Sequence, residues 1–220
     1  MKKSRIAALI PVKNFSNGKS RLSSYLFPKG REILCELMLK STLSNLNKMD
    51  FISDVVIVSE ESKAKKISNF YGANFLYAKE LGVNHAVKIG DEFCAKNEID
   101  CNIVIPIDLA LLSPSDLFLI IYLSLRHEKC AIICPSLRKD GTNLLLRRPI
   151  DIFETSYDDR SYYNHIVMSR EAKVHTMVIS SMNIMLDVDT KDDIIKLVNL
   201  FPENKLSRLL LATNFNLIEI

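Results

Sequence analysis

Three cations in one polar stretch near the start of the chain have the clearest chemical potential. Lys13, Lys19 and Arg21 fall within nine residues, separated mostly by small polar side chains. Lysine and arginine side chains, together with backbone N–H groups, suit a loop that surrounds phosphate groups. Gly18-Lys19-Ser20 resembles part of a P-loop, but that motif requires a second glycine where Lys13 stands. The stretch therefore predicts a phosphate-binding loop of another kind, and the alternative is a solvated basic loop.

Acidic residues suited to a divalent cation lie in two distant stretches. Asp108 directly follows an apolar run, and Asp187 and Asp189 share one face of any extended segment because they are two residues apart. Carboxylate oxygens are preferred ligands of Mg²⁺, which also bridges phosphate groups. We therefore predict a Mg²⁺ site with Asp108 as one ligand and one of the later pair as a second. The alternatives are a turn aspartate and two residues that only lead into a helix.

Further polar residues stand at the edges of predicted elements: Asn84, Thr142, Asn143, Arg147, Arg148, Ser161 and His165. Asn84 precedes an amphipathic stretch, where its side chain is able to read a base or ribose edge or to cap a helix. Thr142, Ser161 and the two arginines are candidates for holding a second anionic ligand. A hairpin turn and a surface helix are the structural alternatives.

The elements that must position these residues alternate between strand and helix patterns. Apolar runs at 5–12, 55–58, 102–107 and 130–134 are typical of strands covered on both faces, and hence of a largely parallel sheet. A wide apolar stripe predicts a helix over 32–47, and Ser113-Pro114 and Thr190 are helix-start signals. Three further strands are predicted at 142–146, 174–179 and 184–188.

This order predicts an α/β fold: a three-layer sandwich with a mostly parallel central sheet and a small antiparallel lip formed by the three later strands. Ligands of open α/β sheets bind beyond the carboxyl ends of the strands. Lys13 and Asp108 both follow predicted strands, so we expect the chemistry at that edge of the sheet.

Composition narrows the possible functions. The 220 residues are 48% apolar and 25% charged, which is typical of a soluble globular protein. A net charge of +3 does not indicate a nucleic-acid binder. The apolar runs are too short to span a membrane, and the N-terminal stretch lacks the length of a signal peptide, so we expect a cytoplasmic protein. None of the five cysteines forms a Cys-x-x-Cys pair, which predicts reduced, mostly buried thiols.

The stretches form an ordered series of motifs over roughly residues 5–200: Ile-Pro-Val-Lys13, Lys19-Ser20-Arg21-Leu, Gly-x-Asn84-x-Ala, Pro-x-Asp108-Leu-x-Leu-Leu-Ser-Pro, Gly-Thr142-Asn143-x-Leu-Leu, Ser161-x-x-x-His165 and Leu-Asp187-Val-Asp189-Thr-x-x-Asp. This series resembles the 2-phospho-L-lactate guanylyltransferase family of coenzyme F-420 biosynthesis. The resemblance implies a nucleotidyltransferase of the glycosyltransferase-A type. It also implies that GTP and 2-phospho-L-lactate react to give lactyl-2-diphospho-5′-guanosine and pyrophosphate, while related members use phosphoenolpyruvate or 3-phosphoglycerate.

The resemblance also implies residue roles. Lys13, Lys19, Ser20 and Arg21 would hold the GTP phosphates, and Asn84 would lie at the nucleoside. Asp108 and the Asp187/Asp189 pair would hold Mg²⁺, with Asp189 the first choice within the pair. The acceptor, a small phosphorylated carboxylic acid, would be held by Thr142, Asn143, Ser161 and His165.

The chain departs from the family pattern in two places. Ala110 stands where relatives often have proline, and Tyr157-Asp158 stands where they often have Phe-Gly. The extra carboxylate leaves the identity of the anionic acceptor open, and the alternatives are a related nucleotidyltransferase acting on another phosphorylated acid or a sugar phosphate, and a non-catalytic nucleotide-binding protein. We expect the nucleotidyltransferase domain to span 1–202 and the apolar tail, 203–220, to contact a second subunit in a homodimer.

Overall fold

Strands and helices alternate along the residues that the computed structural model describes, 5–79 and 82–212. The strands are β1 (Ile6–Pro11), β2 (Asp54–Ser59), β3 (Asn74–Tyr77), β4 (Cys101–Val104), β5 (Cys130–Pro135), β6 (Thr142–Arg148) and β7 (His175–Val178). The helices are α1 (Pro28–Leu46), α2 (Ser62–Tyr71), α3 (Val83–Lys96), α4 (Pro114–Ser124), α5 (Ser161–Glu171), α6 (Met182–Met185), α7 (Lys191–Leu200) and α8 (Lys205–Ala212). A short 3₁₀ turn covers Ser20–Leu22.

The strands form one sheet in the order β3-β2-β1-β4-β6-β5-β7. Strands β1 to β4 are parallel to one another, β7 is parallel to β5, and β6 is antiparallel to both β4 and β5. The predicted α/β class with a mostly parallel sheet is confirmed. The antiparallel element lies inside the main sheet, however, and does not form a separate lip.

The strand predicted at 184–188 was wrong. The segment begins with the short helix α6, whose last carbonyl groups accept hydrogen bonds from the Asn143 side chain at 2.9 and 3.1 Å. The chain then extends past Asp108, with one backbone hydrogen bond from Val188 to the carbonyl of Asp108. A side chain thus supplies contacts that a strand partner would supply, and an alternating apolar pattern does not distinguish the two arrangements.

Alternate residues of the central strands build two cores, which makes the molecule three-layered. Ala8 and Ile10 pack with α1, α2 and α4 on one face. Ala7 and Leu9, whose side chains point the other way, pack with α3 and residues of α5. A third apolar cluster joins α1, α7 and α8 around Ala110 and Val188, next to the two acidic stretches.

Helix capping anchors the segments beyond the strands. Ser113 and Asp116 form a reciprocal capping box at the start of α4, and Thr190 and Asp193 form another at the start of α7. Both helix starts were predicted, because a Ser or Thr side chain accepts the free N–H at the third helical position while the acidic residue there accepts the cap's own N–H.

The structure also bears on the predictions for the cysteines, for membrane spans and for the tail. All five cysteines are buried and unpaired with one another, as predicted. Among the described residues, no helix is long and apolar enough to cross a membrane. The first part of the predicted tail forms α8, which packs through Leu206 and Leu210. Residues 213–220 lie outside the described residues.

Candidate active site

The ammonium group of Lys19 lies between two carboxylates from distant parts of the chain. Its Nζ atom is 2.6 Å from Oδ2 of Asp108 and 2.8 Å from Oδ1 of Asp189. The Lys19 side chain is only 6% exposed, whereas both carboxylates remain partly open to solvent. Arg21 approaches the other oxygen of Asp189, Oδ2, at 3.1 Å from the exposed side. Four residues predicted from the sequence therefore form one charged cluster.

The loop that carries Lys19 is held by specific local contacts. Lys19 itself adopts a left-handed backbone conformation, with φ of 53°. A Cβ atom at Gly18 would lie 2.8 Å from the sulfur of Cys35 on α1, so only glycine permits this close approach. The Phe15 amide donates to Oε2 of Glu61 at 3.1 Å, a buried anchor that the sequence analysis missed.

Asp108 and Asp189 are positioned by backbone contacts. The Val188 amide donates to the carbonyl of Asp108 at 3.1 Å, which joins the two acidic stretches. The Asp189 amide donates to Oδ2 of Asp193 at 3.2 Å, so the capping box of α7 also fixes the residue that precedes its cap. These bonds leave the side chains of Asp108 and Asp189 to face Lys19.

The electrostatics of the cluster are coupled. Burial alone would lower the pKa of Lys19, but the adjacent charges of Asp108 and Asp189 raise it well above its ordinary value. For Asp189, burial pushes the pKa upward, but Lys19 and Arg21 outweigh burial and hold the pKa below its usual range. Lys19 and Asp189 are therefore ionised at neutral pH, and the buried ammonium group lies within hydrogen-bond distance of both carboxylate side chains.

Asp187 has a different environment from Asp189. Its Oδ1 accepts a hydrogen bond from Asn143 Nδ2 at 3.2 Å. Burial, followed by the charge of Asp108, raises the pKa of Asp187. Asn143 was predicted to contact an acceptor, but its side chain is buried against this segment and does not line the cleft that Lys19 faces. Its observed role is to hold the segment that carries Asp187.

Thr142, Ser161 and His165 form a hydrogen-bonded unit at the start of β6 and of α5. The Thr142 amide donates to Oγ of Ser161 at 2.8 Å, and Oγ1 of Thr142 lies 2.9 Å from Nδ1 of His165. The ring of His165 is completely buried. Three of the four residues predicted to hold the acceptor are therefore brought together, and of these Thr142 lines the cleft.

Asn84 links α3 to the loop before α5. Its Oδ1 accepts a hydrogen bond from the Tyr157 amide at 2.7 Å, and its Nδ2 donates to Oδ2 of Asp158 at 3.1 Å. Asn84 is the second residue of α3, and Gly82 occupies the cap position. The contacts seen for Asn84 are with the Tyr157-Asp158 loop, while its predicted nucleoside contact stays a prediction.

These groups surround a cleft of about 400 Å³ beyond the carboxyl ends of β1 and β4. The charged and polar side chains that line it include Lys13, Lys19, Ser20, Arg21, Asp108, Thr142 and Asp189. Tyr157 also contributes to the lining, although the sequence analysis gave it no role there. A cleft that combines three cations, two carboxylates and the hydroxyls of Ser20 and Thr142 can bind a polyanion together with a divalent cation.

The two arginines of β6 do not serve as ligands of a second anion. Arg147 is 1% exposed and its Nη2 contacts both oxygens of Asp91 on α3, at 2.7 and 2.8 Å. Arg148 pairs with Asp100 at 3.3 Å. Arg147 faces the core because its position on β6 points inward, where Asp91 compensates its charge.

The donor set fits a divalent cation shared with a substrate. No group of three or more His, Cys, Asp or Glu side chains is assembled for a metal within 5–79 and 82–212. Two carboxylates do converge, however, and the buried Oδ1 atom of Asp108 has no hydrogen-bond partner. Mg²⁺ commonly uses one or two protein carboxylates and completes its shell with phosphate oxygens and water. Asp108 and Asp189 match that pattern, whereas Asp187 is hydrogen-bonded to Asn143.

Several solved structures share this fold. A protein from Desulfovibrio desulfuricans G20 described as a nucleotide-diphospho-sugar transferase superposes with a TM-score of 0.77 at 18% identity, covering 97% of this chain and 96% of that one. A cytidylyltransferase from Leptospira borgpetersenii gives 0.62 at 16% identity, with 98% and 97% covered. Rv0371c of Mycobacterium tuberculosis H37Rv, solved with manganese, gives 0.59 at 15% identity, with 89% and 99% covered. The chain thus has a nucleotidyltransferase-like fold.

The sequence comparisons identify the family. The family model described as guanylyl transferase CofC like matches residues 6–213, so the chain belongs to this family of guanylyltransferases. The phosphoenolpyruvate guanylyltransferase of Rubrobacter xylanophilus is 28% identical over 87% of this chain and 93% of its own length. The 3-phospho-D-glycerate guanylyltransferase of Colwellia psychrerythraea is 30% identical over 86% of this chain and 90% of its own length. The 2-phospho-L-lactate guanylyltransferase of Methanosphaera stadtmanae is 26% identical over 86% of this chain and 82% of its own length. The predicted family is confirmed.

Proposed function

We propose that this protein transfers GMP from GTP to the phosphate of 2-phospho-L-lactate, giving lactyl-2-diphospho-5′-guanosine and pyrophosphate for coenzyme F-420 biosynthesis. The observation that carries the proposal is the Lys19 ammonium held at 2.6 Å from Asp108 and 2.8 Å from Asp189 in the wall of the cleft. This arrangement gives one site both cationic and metal-binding character. The reaction needs both kinds of positive charge, because GTP and the phosphorylated acid are both anions and repel each other.

The chemistry is an in-line displacement at the α-phosphorus of GTP. An oxygen of the acceptor phosphate forms a bond to that phosphorus, and the bond from the phosphorus to the bridging oxygen of pyrophosphate breaks. The attacking oxygen is already ionised near neutral pH, so no strong base is required. Catalysis then depends on positioning and on neutralising charge.

The phosphate loop of this chain supplies most of that charge. Lys13 and Arg21 are exposed at the cleft. In this proposal they would contact the β- and γ-phosphates as pyrophosphate leaves. Lys19 is already paired with two carboxylates, which raise its pKa and keep its ammonium group charged. We assign Lys19 to the α-phosphate side, where charge develops in the transition state.

Asp108 and Asp189 would hold Mg²⁺. When bound, the metal would neutralise charge on the phosphate groups. The unpartnered Oδ1 atom of Asp108 supports this assignment, since a buried carboxylate oxygen without a donor is costly unless a ligand completes its contacts. The manganese complex of Rv0371c supports divalent metal use within the same fold.

Thr142, which lines the cleft, would hold the acceptor together with the neighbouring Ser161, whose hydroxyl oxygen accepts a hydrogen bond from the Thr142 amide at 2.8 Å. Two of the relatives are named for phosphoenolpyruvate and 3-phospho-D-glycerate, which makes these acids the alternative acceptors. The exposed carboxylate of Asp158 bears on this choice, because it adds a negative charge to the loop beside Tyr157. This charge disfavours an acceptor with more negative charge near that loop.

We further propose that residues 1–202 carry the activity and that the protein is a homodimer.

An acceptor panel tests the proposal. The protein is incubated with Mg²⁺, GTP or ATP, and each of 2-phospho-L-lactate, phosphoenolpyruvate and 3-phospho-D-glycerate, and the guanylylated product is measured by mass spectrometry beside pyrophosphate release. We expect product with GTP and the highest kcat/KM with 2-phospho-L-lactate. A preference for another acid would replace the acceptor assignment. GTP binding with no product from any acid would instead favour a non-catalytic nucleotide-binding protein.

A further inference from the structure

The buried ring of His165 bridges two parts of the acceptor side of the cleft. Its Nε2 atom accepts a hydrogen bond from the Ser156 backbone amide at 3.0 Å, and its Nδ1 atom lies 2.9 Å from Oγ1 of Thr142. The ring is completely buried, whereas Thr142 lines the cleft. Thr142 therefore links the buried ring to the cleft through a hydrogen bond.

These two contacts fix the tautomer of the ring. A backbone N–H can only donate, so Nε2 must be the nitrogen that carries no hydrogen. The neutral ring then has its hydrogen on Nδ1 and donates it to Oγ1 of Thr142. The hydroxyl hydrogen of Thr142 cannot also lie along this bond, so it points in another direction. Because Thr142 lines the cleft, this hydrogen is available to a ligand there.

We propose that His165 is a positioning residue that makes the Thr142 hydroxyl a hydrogen-bond donor toward an anionic acceptor. In the opposite tautomer, Nδ1 would take the hydroxyl hydrogen, and Thr142 would present only lone pairs to an anion. The inference rests on the proposed function, in which Thr142 contacts the acceptor. It differs from the predicted role of His165 as a direct acceptor ligand.

The Ser161 hydroxyl, like that of Thr142, accepts one hydrogen bond and keeps its own hydrogen free to donate. Its Oγ accepts a hydrogen bond from the Thr142 amide at 2.8 Å, which leaves its own hydroxyl hydrogen available as a donor. Two neighbouring hydroxyls are thus arranged to donate, and donors are the groups that a carboxylate or phosphate requires. The Ser156 bond ties the same ring to the loop that carries Tyr157 and Asp158.

The surroundings keep the ring neutral. Burial, reinforced by the positive charge of Arg147 on β6, lowers the pKa of His165 to about 4. The aromatic rings of Tyr157 and Phe153 pack beside it, with centroids 4.8 and 6.4 Å away. A neutral ring is required, since a proton on Nε2 would face the Ser156 N–H.

Two substitutions separate the two bonds of His165. In His165→Asn, the amide nitrogen branches at the position of Nδ1 and keeps the donor to Thr142, but the acceptor for Ser156 is lost. In His165→Gln, the amide oxygen reaches as far as Nε2 and keeps the Ser156 bond, but the donor to Thr142 is lost. We expect His165→Gln to raise the acceptor KM about 10- to 100-fold while the GTP KM stays within twofold. We expect the acceptor KM of His165→Asn to stay within about threefold of that of the unaltered protein.

A purely structural role predicts a different pattern, since each variant loses one buried hydrogen bond. Similar losses of thermal stability and of kcat in both variants, with no selective change in acceptor KM, would overturn the inference. The measurements use whichever of the three phosphorylated acids supports turnover of the unaltered protein.

Two further measurements separate this inference from the proposed function. Thr142→Val should raise the acceptor KM, and Thr142→Ser should not; if Thr142→Val has no effect, the acceptor assignment fails. Nitrogen chemical shifts of the four histidines, assigned with a His165→Asn sample, report the tautomer without any substrate. We expect His165 to be neutral with the hydrogen on Nδ1 at pH 7. An Nε2–H or doubly protonated ring would overturn the positioning role, whatever the acceptor.

Discussion

The Val188 amide donates to the carbonyl oxygen of Asp108 at 3.1 Å, which joins two stretches that lie 80 residues apart in the chain. This backbone contact holds together the two segments whose carboxylates, Asp108 and Asp189, both reach the Lys19 ammonium group. The spacing of the two carboxylates is therefore set by main-chain structure, and single side-chain substitutions should change the chemistry without moving the segments.

Asp108→Asn should reduce guanylyl transfer by on the order of 100-fold or more, because it removes a carboxylate from a preorganised charged site. Pyrophosphate release measures the loss, and an unchanged circular dichroism spectrum shows that the fold is retained. Asp192→Asn is the matched control, since Asp192 is an exposed residue three positions from Asp189. Near-normal turnover by Asp108→Asn would remove the metal assignment.

Lys19→Met should strengthen Mn²⁺ binding to the nucleotide-free protein while slowing turnover. Without the ammonium group, Asp108 and Asp189 repel each other, and a divalent cation relieves the repulsion. Titration of free Mn²⁺ by electron paramagnetic resonance measures the affinity. Lys13→Met, in the same loop but exposed, should leave that affinity within about twofold. Weaker Mn²⁺ binding by Lys19→Met would contradict competition between the lysine and the metal.

Thr190→Ala should lower both stability and activity. Loss of an N-cap side chain costs about 1 kcal/mol, and here the same capping box also holds the Asp189 amide through Asp193. Ser113→Ala removes the equivalent cap of α4, which holds no residue of the charged cluster. Urea unfolding should give similar losses of stability for the two variants, but only Thr190→Ala should lower kcat/KM more than fivefold. Equal activities would show that the box does not position Asp189.

Asp91→Asn should destabilise the fold by roughly 3 kcal/mol, because it leaves the Arg147 guanidinium buried without a counter-charge. The free energy of unfolding in urea measures this cost. Glu36→Gln breaks a half-exposed ion pair with Lys40 on α1 and should change stability by no more than about 0.5 kcal/mol. A similar small effect of both variants would mean that the Arg147 charge is solvated by other means.

The stability of the protein should fall in mild acid through His165. Its pKa is about 4 in the folded protein and near 6.5 when exposed. Below pH 6.5 the unfolded chain therefore binds a proton that the folded chain does not, and stability is lost as the pH falls from 6.5 toward 4. Between pH 7.5 and 5 the loss should be about 2 kcal/mol. The asparagine of His165→Asn cannot titrate. Between pH 7.5 and 5, the variant should therefore lose about 2 kcal/mol less unfolding free energy than the unaltered protein. Parallel curves would contradict a neutral buried ring.

The fold was largely predictable because its central strands are covered on both faces and read as continuous apolar runs. β3 was missed since it lies at the edge of the sheet, where its residues are only partly buried and no apolar run marks it. The segment at 184–188 has an alternating apolar pattern for a different reason: it packs on two clusters as a helical turn followed by an extended stretch.

The candidate site was predictable in its members but not in their contacts. Asp108 and one of Asp187 and Asp189 were expected to meet, because carboxylate oxygens are the ligands that Mg²⁺ prefers. Consecutive residues of a strand point to opposite faces, so Thr142 and Asn143 could not both reach the same cleft. The pairing of Arg147 with Asp91 depends on residues 56 positions apart, and no local pattern indicates it.

The reversed direction of β6 has an evolutionary consequence. Its first residue, Thr142, lies at the cleft edge where β1 and β4 end, because β6 runs antiparallel to β4. The hydroxyl side of the cleft, between 142 and 165, thus comes from a stretch of chain separate from the basic loop at 13–21. Mutations in one stretch can accumulate while the other is conserved. A library randomised around residues 154–164 is accordingly the natural starting material for selecting enzymes that guanylylate new acids.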